Sequence, residues 1–288
     1  EVNIQRVSNP TYLEVHEIET ELADFNNNIL TSSVNYEFED EINSLGFSAS
    51  VYEDLKKTDR SRYEYLLPSL SFERNIYANS KLGLVDIMSN AYIRNVQIDQ
   101  TTKMWVNDFN WRSRPIGNIS GIKSEFEGLL KLVNYEADAE KYKTDGLNTE
   151  VSSALAYNAS LPLTKTSNNK NEVKFLTPRM SLRLAPGHMR NIQDDELKLS
   201  YSNLFSLNRN SQGDVIEKGT SLALGLEFSG NKLDKNNVPA DENYSFAIGQ
   251  VFSVEENEDI PLRSSLHQKT SDIVGKGLVK LTENIKLT

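Results

Sequence analysis

The stretch Tyr201–Phe228 reads YSNLFSLNRNSQGDVIEKGTSLALGLEF, and its second half decides the fold. Leu222, Leu224, Leu226 and Phe228 alternate strictly with Ser221, Ala223, Gly225 and Glu227. A strand repeats every two residues, so this pattern puts four large apolar side chains on one face and small or polar groups on the other. The medium against the apolar face is a protein core, a second sheet or lipid, and one strand does not discriminate between them.

The same alternation recurs along the chain. It appears in SSVNYEFED, GFSASVYEDL, RYEYLLPSLSFER and GIKSEFEGLLKLVNYEA, then in EVSSALAYNASLPLT, PRMSLRLAPG, DELKLSYSNLF and NYSFAIGQVFSVEE. Polar clusters rich in Asn, Asp, Gly and Pro separate these segments: DFNNN, LKKTDRS, TDGLN, KTSNNKNE, SGNKLDKNNVPADEN and EENEDIPLRSS. Such residues favour turns because they tolerate left-handed backbone or bond to it locally. The pattern predicts a dozen or more strands of about 8–12 residues, the spacing of an all-β sandwich or barrel. One segment, EVHEIETELADF, fits either a short helix or a strand running into a polar loop. No shift in composition marks a domain boundary, so residues 1–288 read as one continuous β architecture.

Composition narrows the medium. Hydrophobic residues are 38% of the chain and aromatics 9%, with a mean hydropathy of -0.51. No apolar run approaches the ~18–20 residues of a membrane helix. A transmembrane barrel remains open, because half of each strand faces a wet lumen and mean hydropathy stays low. Glu125, Lys131 and Glu227 lie opposite the apolar stripes. They suit solvent or a lumen, since a charge facing lipid costs roughly 2–4 kcal/mol near the midplane. A net charge of -10 argues against nucleic acid as a partner. With no cysteine, Cys-type zinc and iron–sulfur sites are excluded. The chain begins at Glu1 in polar sequence without a signal peptide, as in a cytoplasmic protein or a mature or truncated piece of an exported one.

Catalytic signals are sparse. His16, His188 and His267 stand far apart in polar contexts and read as surface histidines rather than a metal cluster. No phosphate loop or nucleophile elbow is present, GKG at Gly275 being too short. The acidic runs Asp194–Glu196 and Glu255–Asp259 read as solvated loops, or as weak divalent-cation sites at a membrane surface. Trp105, Asn107, Phe109 and Trp111 share one face of KMWVNDFNWRSR. Aromatics so placed suit the girdle of a membrane barrel, or equally a soluble β core.

The order of the later motifs adds a resemblance. FLTPRMSLRLAPG is followed by the opening stretch, then by FAIGQVFSV and TSDIVGKGLVKLTENIKL. The succession resembles the barrel domain of the LptD family of outer-membrane lipopolysaccharide assembly proteins. Matching positions are Pro178, Leu204, Phe205, Arg209, Gly213, Asp214, Gly219, Thr220, Gly249, Gln250, Ser271 and Asp272, in that order. Near the start, SNPTYL with Pro10 and Tyr12 looks like the family's Asp-Pro-Ser-Tyr signature, with Asn9 for Asp. RYEYLLPSLSF resembles its Tyr-rich strand with a central Pro. The strong match covers roughly residues 172–277. Val215 and Asn210 depart from it, where Arg and an aromatic are usual.

The resemblance implies an antiparallel transmembrane β-barrel of a Gram-negative outer membrane, here its middle strands, without the N-terminal jellyroll or the terminal barrel strands. It implies a transporter of lipopolysaccharide with neither catalytic residues, cofactor nor metal. The sugar would pass through a hydrated lumen and the acyl chains sideways through a seam. Implied partners are lipopolysaccharide, membrane lipid, the plug lipoprotein LptE and the periplasmic bridge protein LptA. Arg183, Lys198, Ser200 and Glu227 are the candidate lumen-facing contacts. The alternatives are a soluble periplasmic sandwich or β-helix that binds or cleaves glycans, and a porin-like pore.

Overall fold

A computed structural model describes residues 1–20, 28–96, 100–138, 140, 142–167, 172–192, 197–233, 239–282 and 285–287. Among the described residues fifteen strands form an antiparallel sheet: β1 (Val2–Asn3), β2 (Ile29–Glu39), β3 (Asn43–Asp54), β4 (Tyr63–Asn79), β5 (Gly83–Val96), β6 (Gln100–Arg112), β7 (Ile116–Gly117) and β8 (Lys123–Asp138). They continue with β9 (Gly146–Ser160), β10 (Leu163–Ser167), β11 (Glu172–Ala185), β12 (Gly219–Leu233), β13 (Pro239–Ser253), β14 (Val274–Thr282) and β15 (Ile285–Leu287). The order follows the sequence, β1-β2-β3-β4-β5-β6-β8-β9-β11-β12-β13-β14-β15, with β7 beside β8 and β10 beside β11. Neighbours in sequence are neighbours in space, as in a meander. Among the described residues one α-helix, α1 (Tyr12–Val15), is present. EVHEIETELADF thus supplies only Glu14 and Val15 to that single turn, and its positions 21–25 lie outside the described residues.

The chain divides into two compact units. The first comprises Glu1–Ala78, Val85–Asn110 and Lys131–Val151. At its start Asn9 Oδ1 accepts from the Thr11 amide at 3.1 Å, closing a turn that launches α1. Leu13 then packs on Leu30 and Leu55. Pro10 stands inside this turn and the Tyr12 amide donates to the Asn9 carbonyl at 3.0 Å, with Asn9 supplying the side-chain oxygen that an Asp would. In β6 the even positions Met104 and Val106 are buried against Val133, Tyr135 and Ala137 of β8, whereas Trp105 stands 52% exposed. Lys131, also on the buried face, pairs with Asp108 at 2.7 Å.

The second unit comprises Asn79–Leu84, Trp111–Leu130 and Ser152–Thr288, and it answers the question of the opening stretch. Leu224 and Leu226 are 42% and 41% exposed, and their register partners continue the surface. Leu226 faces Pro178 on one side and Ile248, itself 52% exposed, on the other. Leu155, Leu182, Leu184 and Phe246 are exposed as well. The buried face carries the small and polar residues instead: Ala154 and Ala156 of β9, Ser181 and Arg183 of β11, Ser221 and Ala223 of β12. A soluble sandwich would bury the leucines and wet the serines, so this sheet is built with the opposite polarity. That rules against the alternative of a soluble sandwich with its apolar stripes in a sealed core.

Pro178 sits mid-strand without cost for a local reason. Strand β11 pairs with β9 from Arg179 onward and with β10 up to Leu176, so the neighbouring strand is interrupted beside Pro178. Its carbonyl accepts from the Leu161 amide at 3.0 Å, and its missing N–H falls at the gap.

One expectation fails. DELKLSYSNLF is not a strand: its residues 195 and 196 lie outside the described ones, and Leu197–Phe205 is irregular. It belongs to a long connection, residues 186–218, between β11 and β12. Lys198 and Ser200 therefore do not project from a barrel wall.

Candidate functional site

Connections longer than ~12–15 residues are uncommon unless they carry structure or function of their own. Residues 186–218 and 254–273 both exceed that length, and they leave from the same end of β11, β12 and β13. Positive-φ glycines bracket the first, Gly187 at φ 109° and Gly219 at φ 121°, allowing the backbone to turn sharply where it leaves and rejoins the sheet. Between them the chain folds back over the small-residue face. Met189, Ile192, Leu197, Tyr201, Leu204 and Val215 pack on Ala223 and Val251, and the second connection adds Ile260 and Leu266. Ile216 joins Leu129, Ala154 and Ala185 in a second cluster.

The seat for this layer is bare backbone. Gly225 and Gly249 face each other across β12 and β13. A Cβ on Gly225 would meet Phe205 Cζ at 2.7 Å, and one on Gly249 would collide with Leu204. The resembling positions Leu204, Phe205 and Gly249 are thus one contact, a pair of large side chains laid on a smooth patch of sheet.

Polar pins fix the layer around that contact. Arg209 grips Glu217 with both arms of its guanidinium, at 2.7 and 2.5 Å, and also donates to Ser221 Oγ at 3.0 Å. Arg183 reaches up from β11 and donates to the carbonyl of Leu207 at 2.6 Å and to that of Glu217. The three side chains are buried, Arg183 being 2% exposed. Burial alone would raise the Glu217 carboxyl; the charges of Arg209 and Arg183 and the bonds from Arg209 override it and hold the group below its ordinary value. A second buried pair, Arg190 with Asp214 at 3.0 Å, secures the turn at Gly213 and Asp214. Asn208 accepts from the Glu217 amide and donates to the Val215 carbonyl, so its side chain replaces the ladder that this irregular segment lacks.

Glu227 lies at the margin of the layer. It accepts from Arg179 at 2.7 Å and from the Tyr201 hydroxyl at 3.1 Å, and Arg179 lies over the Phe205 ring at 4.3 Å. Lys198 is exposed on the connection, and Ser200 bonds Asn203 and Ser202 beside it. Of the four candidate contacts, Arg183 and Glu227 thus stand on the sheet under or beside the layer, and the other two stand on the layer itself.

The C-terminal motif residues make a pinned irregularity before β14. Ser271 Oγ accepts from the Val251 amide at 2.9 Å where a backbone carbonyl would ordinarily do so. Gln250 Nε2 donates to the Ser271 carbonyl at 2.7 Å, and Ser271 Oγ donates to that of Asp272. Gln250 faces the apolar side, since it pairs with Leu224. There an unpaired carbonyl is costly, which gives an amide a reason to stand among leucines. Sequence reasoning singled out Arg209, Gly249 and Gln250 but missed Glu217, Arg190, Tyr201 and Asn208. The signal for Glu217 was partly available, as one of two carboxylates, with Asp214, within eight positions after Arg209.

Among curated proteins, none matches the chain closely enough to count as a relative. A family model does match. It is that of LptD, described as LPS transport system D, and it covers residues 1–288, extending well beyond the roughly 172–277 in which motifs are individually visible. The chain, an all-β antiparallel sheet whose matching residues Leu204, Phe205, Arg209, Gly213, Asp214 and Gly249 meet at one folded connection, belongs to the LptD family, which serves lipopolysaccharide transport at the outer membrane.

Proposed function

We propose that residues 1–288 form part of a single outer-membrane barrel domain that delivers lipopolysaccharide to the outer leaflet. The sugar travels along the polar face of the sheet, and the acyl chains leave sideways through a seam between barrel strands. The physical logic is that neither half of an amphipathic ligand then crosses a medium that rejects it. The observation that carries this reading is the reversed polarity of the second unit, with Leu224, Leu226 and Ile248 exposed and Ser221 and Arg183 buried, in a chain of the LptD family.

In this reading Lys198, Ser200 and the Glu227–Arg179 pair are the groups available to a saccharide or to a plug protein. Arg183 contributes by holding the folded connection in place. The partners are the lipoprotein LptE as plug and LptA as the periplasmic bridge, and no step of covalent catalysis is involved. The test is reconstitution of the full protein with LptE in proteoliposomes fed with lipopolysaccharide through LptA. Delivery to the vesicle surface is expected. Conductance of small solutes without lipopolysaccharide delivery would overturn the proposal in favour of a porin-like pore.

A further inference from the structure

The open face of the first unit carries a groove of about 320 Å³, at the lower end of the roughly 300–1,000 Å³ of small-ligand sites. Three strands contribute consecutive triplets to it, centred on Tyr92, Met104 and Tyr135. Met104 and Tyr135 are buried and Tyr92 packs with them, so their side chains leave on the other face. The floor is therefore backbone, and the walls are the side chains that flank each triplet.

The hollow exists because Ala91 is short while its neighbours are not. Leu70 stands on one side and Trp105 on the other, with Ile93 further along. The Trp105 indole is locked as a wall: its Nε1 donates to Ser89 Oγ at 2.9 Å, and Ser89 donates to Asn107 at 2.8 Å. One end of the groove changes character abruptly. Lys103 and Glu136 form an ion pair at 2.9 Å there, each about half exposed. An apolar trough ending in a tryptophan and a balanced pair of charges matches the profile of a bilayer from hydrocarbon to headgroup.

We propose that this groove holds one zwitterionic glycerophospholipid, with an acyl chain along Ala91 and Ile93, its phosphate on Lys103 and its ammonium group on Glu136. The occupant is a lipid because the groove opens on the face whose leucines and aromatics are exposed. It is a zwitterion because the rim offers one cation and one anion. A headgroup carrying several phosphates would meet Glu136 as well as Lys103 and be repelled. This site is separate from the transport reading and stands or falls without it.

The test uses the full chain in detergent micelles, with phosphatidylethanolamine, phosphatidylglycerol or purified lipopolysaccharide added and retained lipid counted by native mass spectrometry. One phosphatidylethanolamine per chain is expected to persist. Filling the trough by Ala91→Trp, or by the milder Ala91→Leu should the first not fold, reduces retention at least tenfold. Lys103→Glu does the same, and the double swap Lys103→Glu with Glu136→Lys restores it. Heat-modifiable mobility in gels reports folding of each variant. The proposal is overturned if the wild-type chain keeps no phosphatidylethanolamine, if the folded Ala91 variants keep as much as wild type, or if phosphatidylglycerol or lipopolysaccharide is retained as well.

Discussion

Gly225 and Gly249 stand opposite each other in β12 and β13, and this pair of missing side chains is what lets Leu204 and Phe205 lie flat on the sheet. Two adjacent glycines in strands weaken both, so their presence in well-ordered strands calls for a close approach. Gly225→Val or Gly249→Val should lift the folded connection and cost ~1–3 kcal/mol, as overpacking does. Thermal unfolding in detergent and protease cutting within 186–218 measure it. Gly117→Ala, where nothing lies within 4 Å of the added carbon, should change little.

The Arg209–Glu217 pair is buried from both ends. Removing one partner leaves an uncompensated charge, so Glu217→Ala or Arg209→Ala should each destabilise the protein by about 3–5 kcal/mol. The double variant Arg209→Leu with Glu217→Leu should lose less than the two single losses summed, because the only charge it leaves beneath the layer is Arg183, which still donates to the carbonyls of Leu207 and residue 217. A double-mutant cycle by chemical unfolding checks it; a loss in the double variant equal to the summed single losses would contradict the pairing.

The lowered carboxyl of Glu217 sets a pH dependence. A group with a depressed folded pKa binds its proton more weakly when folded, so it stabilises the fold above the ordinary glutamate value of about 4.3. That stability is lost as pH falls below this value and through the folded pKa. Unfolding midpoints recorded from pH 7 to pH 3 should therefore fall more steeply in wild type than in Glu217→Gln.

The two faces of β12 should respond oppositely to charge. Leu226→Arg places a guanidinium among Pro178 and Ile248 and should cost roughly 2–4 kcal/mol on folding into vesicles. Ser229→Arg, three residues on and on the opposite face, should cost less than about 1 kcal/mol, the range of ordinary wall positions. Urea titration of vesicle-folded protein separates them.

How much of this was legible in the sequence depends on the kind of order. The Leu222–Phe228 alternation predicts the strand and its two faces because the period of a strand is fixed by backbone geometry. Trp105 and Trp111 on one face follow from the same count, and both are exposed. The medium did not follow, since period 2 is identical in a sandwich and a barrel; burial of Ser221 and exposure of Leu224 supply it. DELKLSYSNLF misled for a related reason. Leu197 and Tyr201 are buried as their spacing suggests, but by an irregular chain held through Asn203, whose amide donates to the Lys198 carbonyl and whose oxygen accepts from the Ser200 amide. Side-chain bonds of this kind leave no periodic trace. Nor does any local pattern reveal that Gly225, Gly249, Leu204 and Phe205 meet, because that contact joins segments far apart in sequence.

The central claim is that the leucine face of β12 lies in hydrocarbon. The chain has no cysteine, so single cysteines at positions 222–229, Gly225 excepted, can each carry a spin label without background. In lipid vesicles, accessibility to dissolved oxygen should alternate with a period of two, high at Leu222, Leu224, Leu226 and Phe228 and low at Ala223, Glu227 and Ser229. The account is contradicted if the even positions are shielded from oxygen and from aqueous reagents alike, as they would be between two packed sheets.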